Sequence, residues 1–307
     1  MPLALSASWN AFRHRSGESM LFEIKKAGFD QVELSFNLTA SMLKSVFSAR
    51  KRLGIKITSV HNFCPIPDGF TREVALPDCY SMASLSAPER ARAVIYAKRS
   101  IDTAKRLGAA AVVLHCGRVE MPDRTKALIA LYNQGRRDSA EFRKIRDGYI
   151  SQRRSLCAPY FKNTLESLEK LEAYARKYRI ILGVENRIYY REIPTLDELG
   201  VIFKRFKGSN VGYWHDTGHA QVIEELGINR HKDFLERCAS VMVGIHLHDV
   251  SGCRDHLAPL KGNLDFSFLR PYLSKKTIKV IEAHHPASPQ DLLKSKEYLE
   301  RALETVI

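Results

Sequence analysis

Residues 180–187 read Ile-Ile-Leu-Gly-Val-Glu-Asn-Arg, and residues 211–219 read Val-Gly-Tyr-Trp-His-Asp-Thr-Gly-His. Between them lies an amphipathic stretch, Leu196–Lys207, followed by Gly208. A short apolar run, a helical period and a second short apolar run make one strand–helix–strand unit, which implies parallel strands joined by a right-handed crossover. The same rhythm extends in both directions. Strands are expected at Leu3–Ser8, Gln31–Ser35, Ile55–His61, Ala111–His115, Ile180–Glu185, Val211–Asp216, Val243–His248 and Ile278–Glu282. Helical periods occupy Ser19–Ala27, Ala40–Leu53, Ala87–Leu107, Tyr160–Lys177, Leu196–Lys207 and Leu292–Thr305, and Gly28, Gly54, Gly108 and Gly208 stand where helix C-caps belong. Eight such units close into a (β/α)8 barrel, and 307 residues suit one barrel domain over 1–307. An open doubly wound sheet is the competing architecture, but no GxGxxG follows the first strand.

One segment breaks the rhythm. Residues 117–155 are long, polar and basic, including Arg136-Arg137 and Arg153-Arg154. Placed between the fourth strand and its helix, this insertion is expected to rise over the C-terminal face of the barrel.

Composition narrows the class. Hydrophobic residues make up 45% and charged residues 27%, enough for a sizeable core and too apolar for a disordered chain. No apolar run approaches the roughly 20 residues that span a bilayer, and the N-terminus lacks a basic lead before an apolar stretch. Six cysteines form no CxxC pair, which fits reduced thiols and a cytoplasmic location. The net charge of +14 favours anionic ligands such as sugar phosphates or nucleic acid, although much of the excess is spread along helix surfaces.

Ionisable residues arrive at the C-terminal ends of six strands: His61, His115, Glu185, Asp216 with His219, His246 with His248, and Glu282. That end is where a barrel gathers its chemistry. Three carboxylates brought together there repel and are costly to bury, whereas a divalent cation holds them ionised. Carboxylate oxygens with one imidazole suit manganese, magnesium, cobalt or zinc. His246 and His248 are two apart on a strand and so point to one face, with Leu247 towards the helices. Asp216 and His219 straddle Thr217-Gly218, a turn that can aim both inward.

The set Val-Glu185-Asn-Arg187, His215-Asp216-Thr-Gly-His219, His246-Leu-His248-Asp249, His256 through Lys261-Gly262-Asn-Leu-Asp265, and Ile-Glu282 resembles the xylose isomerase-like barrel superfamily over nearly the whole chain. That superfamily holds sugar isomerases and epimerases together with apurinic endonucleases of the endonuclease IV type. The epimerase-like resemblance implies a metal held by Glu185, Asp216, a histidine of the His246-Leu-His248 segment and Glu282; the endonuclease-like pattern favours His246. It further implies that Glu185 and Glu282 act as the acid/base pair, moving a proton between adjacent carbons through a metal-stabilised enediolate. His219 or Arg254 is then expected to hold substrate oxygens, and Arg187 and Arg254 to meet an anionic substrate. The endonuclease-like resemblance adds His61, His115, His219, His248 and His256 as ligands of further metals or as substrate contacts. Arg254 stands where that family carries a carboxylate, and arginine cannot ligate, which argues against a complete three-metal site; Asp255 is a partial substitute. Asp265 is expected to cap the following helix.

The expected function is a metal-dependent isomerase or epimerase of a sugar, sugar phosphate or related polyol compound. The alternatives are a lyase or dehydratase on the same scaffold and a nuclease for abasic DNA, with a metal-binding barrel without catalysis as a third class. The expected partner is a sugar-like small molecule, with DNA second and no membrane, and the resemblance allows a homo-oligomer.

Overall fold

A computed structural model of the chain describes residues 2–304, so the helix expected to end at Thr305 runs one residue beyond them. Eight parallel strands close a barrel: β1 (Ala4–Ser6), β2 (Gln31–Leu34), β3 (Lys56–His61), β4 (Ala111–Leu114), β5 (Ile181–Glu185), β6 (Val211–Asp216), β7 (Met242–Leu247) and β10 (Ile278–Ile281), with β10 pairing both β7 and β1. A two-stranded antiparallel hairpin, β8 (Asp249–Ser251) and β9 (Arg254–Leu257), follows β7 and lies outside the barrel sheet. All eight expected barrel strands are present, with ends shifted by up to two residues. Each of Gly28, Gly54, Gly108 and Gly208 has positive φ, as a left-handed helix terminus requires.

The helices are α1 (Gly17–Lys26), α2 (Ala40–Arg52), α3 (Ala87–Leu107), α4 (Thr125–Asn133), α5 (Ala140–Arg176), α6 (Leu196–Arg205), α7 (Thr217–Glu225), α8 (His231–Cys238) and α9 (Pro289–Ala302). Their apolar faces pack on the outward residues of the strands, in a core that includes Leu5, Val60, Val184, Ile245 and Leu247. A second, smaller cluster of Ala4, Ala111, Val113, Trp214 and Val280 fills the barrel interior and floors the site above it.

Trp214 fits that interior because its neighbours on adjacent strands are glycines. A Cβ on Gly244 would lie 2.1 Å from the indole, and one on Gly183 would lie 2.7 Å from it. Gly244→Ala is therefore expected to destabilise by at least about 1–3 kcal/mol through overpacking. Gly148→Ala, in α5 with open space around it, should stabilise by about 0.5–1 kcal/mol. Denaturant midpoints of the two variants check both signs.

The 117–155 insertion lines the C-terminal face as expected and also holds the start of the crossover helix expected at Tyr160. It is largely helical: α4 lies within it, and α5 starts at Ala140 and continues through the expected crossover helix for 37 residues, about 55 Å. Sequence alone suggests a start at Tyr160 because Pro159 is tolerated at a first helical turn but costly inside a helix. The Ser139 cap and the buried face of Phe142, Tyr149, Arg153 and Tyr160 carry the helix through the proline. Several of the basic residues have structural partners. Arg137 donates to the α7 carbonyls of Glu224 and Glu225 (3.3 and 2.6 Å), Arg136 pairs with Glu141, and buried Arg153 grips Glu198 at 2.8 and 2.9 Å.

Candidate active site

The site occupies the C-terminal ends of the barrel strands and centres on His246. Its Nδ1 faces Glu185 Oε1 at 2.8 Å, Glu282 Oε2 at 2.8 Å and Asp216 Oδ2 at 3.6 Å. Its Nε2 faces Glu33 Oε1 at 2.9 Å, and Ser59 Oγ donates to the other Glu33 oxygen at 2.7 Å. The four carboxylates are 0–6% exposed. Burial disfavours an imidazolium, but the charges of Glu282 and Glu33 outweigh it and hold His246 well above the ordinary histidine range. For Glu185, burial raises the carboxyl, but Arg187 and the hydrogen bonds of His115 and His246 hold it well below the usual carboxylate range. Glu282 is likewise raised by burial and lowered further by His246.

This donor set fits a divalent cation. Oxygens of Glu185, Asp216 and Glu282 and a nitrogen of His246 lie within 4.8 Å of one another. Four buried carboxylates around one imidazole leave negative charge that a divalent cation offsets. Glu33, on the far side of the ring, is placed to accept a hydrogen bond from Nε2–H and so leave the Nδ1 lone pair as the metal donor, the arrangement that orients metal-bound histidines.

His248 also lies inward, and a ring nitrogen of it joins a second group, Asp216, His248, His256 and Glu282. Its hydrogen bonds differ from those of His246. The backbone N–H of His256 donates to Nδ1 at 2.9 Å, so Nε2 carries the ring proton and donates to Asp216 at 2.9 and 3.0 Å. To ligate through Nε2 it would lose the bond from His256, so His246 is the better-prepared donor.

Asp216 and His219 do not straddle a loop. Asp216 is the N-cap of α7, accepting the His219 N–H at 2.7 Å, and Thr217 and Gly218 form the first helical turn. A Cβ on Gly218 would lie 2.0 Å from the His248 ring, so glycine makes room for that imidazole. Asn186, just beyond β5, fixes Asp216, accepting its N–H at 2.7 Å and donating to its carbonyl at 3.0 Å.

Two further groups adjoin the centre: His61, His115 and Glu185, and His219, Asp255 and His256. His115 Nε2 lies 2.9 Å from Glu185 Oε2, the oxygen that Arg187 also contacts. Burial pushes His115 down to about 3. Hairpin β8–β9 brings in His256 at φ 53°, stacked between His248 (4.2 Å) and His284 (3.9 Å). Burial disfavours a charged His256, but the hydrogen bond with Asp255 raises it to about 9.

The two expected anion-binding residues are placed differently. Arg187 contacts Glu185 and lies 3.2 Å from Glu192, so its charge is balanced inside the protein. Arg254 is exposed and lines a neighbouring groove of about 530 Å³, while Asp255 turns into the site beside His256. Asp255 thus places a carboxylate beside His219 and His256. Asp265 caps a short 3₁₀ helix through Ser267 N, away from the chemistry.

Above these groups opens a cavity of about 580 Å³, within the roughly 300–1,000 Å³ of small-molecule sites. Glu185, His219, His256 and Glu282 form part of its wall, and the insertion contributes Arg118, Asp123, Lys126 and Ile129. Sequence inspection overlooked Glu33, Asn186 and His284. Glu33 had a signal, a lone carboxylate inside the apolar strand Gln31–Ser35.

No helix among the described residues is long and apolar enough to cross a membrane. The chain resembles solved structures of a D-tagatose 3-epimerase-like protein (TM-score 0.69, 21% identity, 99% of this chain and 97% of that one) and a 3-keto-D-glucoside 4-epimerase from E. coli (0.67, 15%, 98% and 99%). An L-ribulose 3-epimerase is similar at TM-score 0.67 and 15% identity, over 99% and 95% of the two chains. An uncharacterised protein of Sinorhizobium fredii, y4fM, is 25% identical over 215 residues, 70% of this chain. The chain spans 59% of that relative's length. The model of the xylose isomerase-like TIM barrel family matches residues 21–302, and the chain belongs to that family.

Proposed function

We propose that this protein is a metal-dependent isomerase or epimerase of a sugar or sugar-derived ketose. One observation carries the reading: Glu185 and Glu282 converge at 2.8 Å each on one nitrogen of His246 beneath the cavity. The sugar epimerases among the similar structures support it. Glu185, Asp216, His246 and Glu282 would hold the cation, which would supply positive charge next to the reacting oxygens.

The two carboxylates differ in what they can do. Glu185 Oε2 is engaged by His115 and Arg187, whereas Glu282 Oε1 has no hydrogen-bond partner among the described residues. Glu282 is therefore the group best placed to remove a proton from the carbon beside a carbonyl, whose electron pair passes to the carbonyl oxygen. Return of a proton to the opposite face of that carbon gives the epimer, and return to the neighbouring carbon gives the isomer. Glu185, steadied by His115 and Arg187, is the partner for this second transfer.

Incubation of the metal-loaded protein with free and phosphorylated ketoses in deuterium oxide tests the reading. Deuterium should enter at a carbon adjacent to the carbonyl; no exchange into any ketose would contradict it.

A nuclease acting on abasic DNA is a second reading, favoured by the two further ligand groups and the net charge of +14. Against it, Arg187 already occupies the Glu185 oxygen that a cation between His61 and His115 would use. Strong, salt-sensitive cleavage of abasic-site DNA with no action on ketoses would establish it instead.

A further inference from the structure

One wall of the cavity is built by two segments, residues 118–129 and 187–192. They are tied together firmly. Arg118 and Glu192 form an antiparallel bridge, Val119 N–H donates to Arg191 O at 2.8 Å, and Tyr190 N–H donates to Thr125 Oγ1 at 3.1 Å. The Arg191 N–H is held by Tyr149 Oη at 3.1 Å. Side chains on this frame are thus presented on fixed backbone.

Four of its cations line the cavity, and they fall into two kinds. Arg118 lies 2.9 Å from Asp78 and 3.0 Å from Glu120, and Arg187 is balanced by Glu185 and Glu192. Lys126 and Arg191 have no carboxylate within 4.0 Å among the described residues. Arg191 donates through Nη1 to Met121 O at 3.3 Å, while its Nε is buried without a hydrogen-bond partner. Lys126 is exposed at the mouth, its ammonium 5.9 Å from the Tyr189 ring centre. The carboxylate on the same wall, Asp123, already accepts the Thr125 N–H (3.0 Å) and the Tyr149 hydroxyl (3.1 Å).

We propose that Lys126 and Arg191 form an oxyanion-binding subsite, so that the substrate of this site carries a phosphate or carboxylate group. Arginine offers planar paired donors and lysine a mobile charge, a combination suited to either group. The proposal rests on the isomerase or epimerase reading of the same cavity. It moves anion recognition from Arg187, whose charge is balanced by Glu185 and Glu192, and from Arg254, which lines a neighbouring groove, to two cations of this cavity without a carboxylate partner among the described residues.

Calorimetric titration of the metal-loaded protein with inorganic phosphate is the test, with Lys126→Gln, Arg191→Gln and Arg191→Lys alongside. The Kd for phosphate should rise about tenfold or more in each Gln variant, as loss of a charge-assisted hydrogen bond implies, with partial recovery in Arg191→Lys. Thermal midpoints of the variants show that they fold. Phosphate binding that is absent, or equal in wild type and Gln variants because the anion sits on the metal, would overturn the proposal. Deuterium exchange into a ketose phosphate and a keto sugar acid separates the sources: a lower KM than for the neutral ketose, lost in the Gln variants through KM, supports the subsite for whichever anion shows it. Exchange into neutral ketoses with no preference for either anion overturns the subsite and leaves the isomerase reading standing. Variant-sensitive phosphate binding without exchange into any ketose keeps the anion site and removes the isomerase reading with the substrate assignment.

Discussion

Glu282→Gln is expected to lower turnover by about 10³-fold or more while leaving the barrel folded. The carboxylate is 6% exposed, reaches the cavity, and has one oxygen fixed by His246 at 2.8 Å. The amide keeps the shape and one oxygen donor but cannot accept a proton, and positioned general acid–base groups contribute about 10²–10⁴-fold. Glu185→Gln should abolish turnover as well, by a partly different route. Its Oε2 meets His115 and Arg187, so the amide leaves a buried guanidinium with one carboxylate partner fewer and disturbs the ligand set. Elemental analysis separates the two cases: Glu282→Gln should lose kcat with metal retained, whereas Glu185→Gln should also lose metal. Wild-type turnover in either variant removes that residue's acid/base role.

The second large effect falls on metal affinity. His246→Ala removes the nitrogen that three carboxylates face, and metal binding should weaken by more than about 100-fold. Glu33→Gln, acting through the Nε2 side of the ring, should weaken it by about 10–100-fold, the usual cost of losing a partner behind a ligand. His248→Ala should have the smallest effect, because its Nε2–H is donated to Asp216 and its Nδ1 accepts from His256. A reversed order of His246 and His248 would place the metal against His248, His256, Asp216 and Glu282 instead. Competition with a metallochromic indicator at fixed pH measures all three.

The barrel was legible because its strands are short, apolar and separated by amphipathic helices with glycine ends. Strand ends also gave away Glu185, Asp216, His246 and Glu282, since an ionisable residue closing an apolar run has few structural uses. What the sequence concealed is where neighbours across the barrel meet. Glu33 and His246 are 213 residues apart, and only closure of the sheet brings them to 2.9 Å. The hairpin register decides that Asp255 rather than Arg254 turns inward, and no local pattern encodes that choice. Pro159 hid the length of α5, because a tolerated proline looks in sequence like a helix start.

Metal content of the purified protein, after loading with manganese, magnesium, cobalt or zinc and removal of excess, tests the central claim most directly. Near one tightly held divalent ion per chain, lost in His246→Ala, is the expected result. No tightly held ion under any loading would contradict the metal site itself, and two or three per chain would contradict the single-metal isomerase in favour of the nuclease.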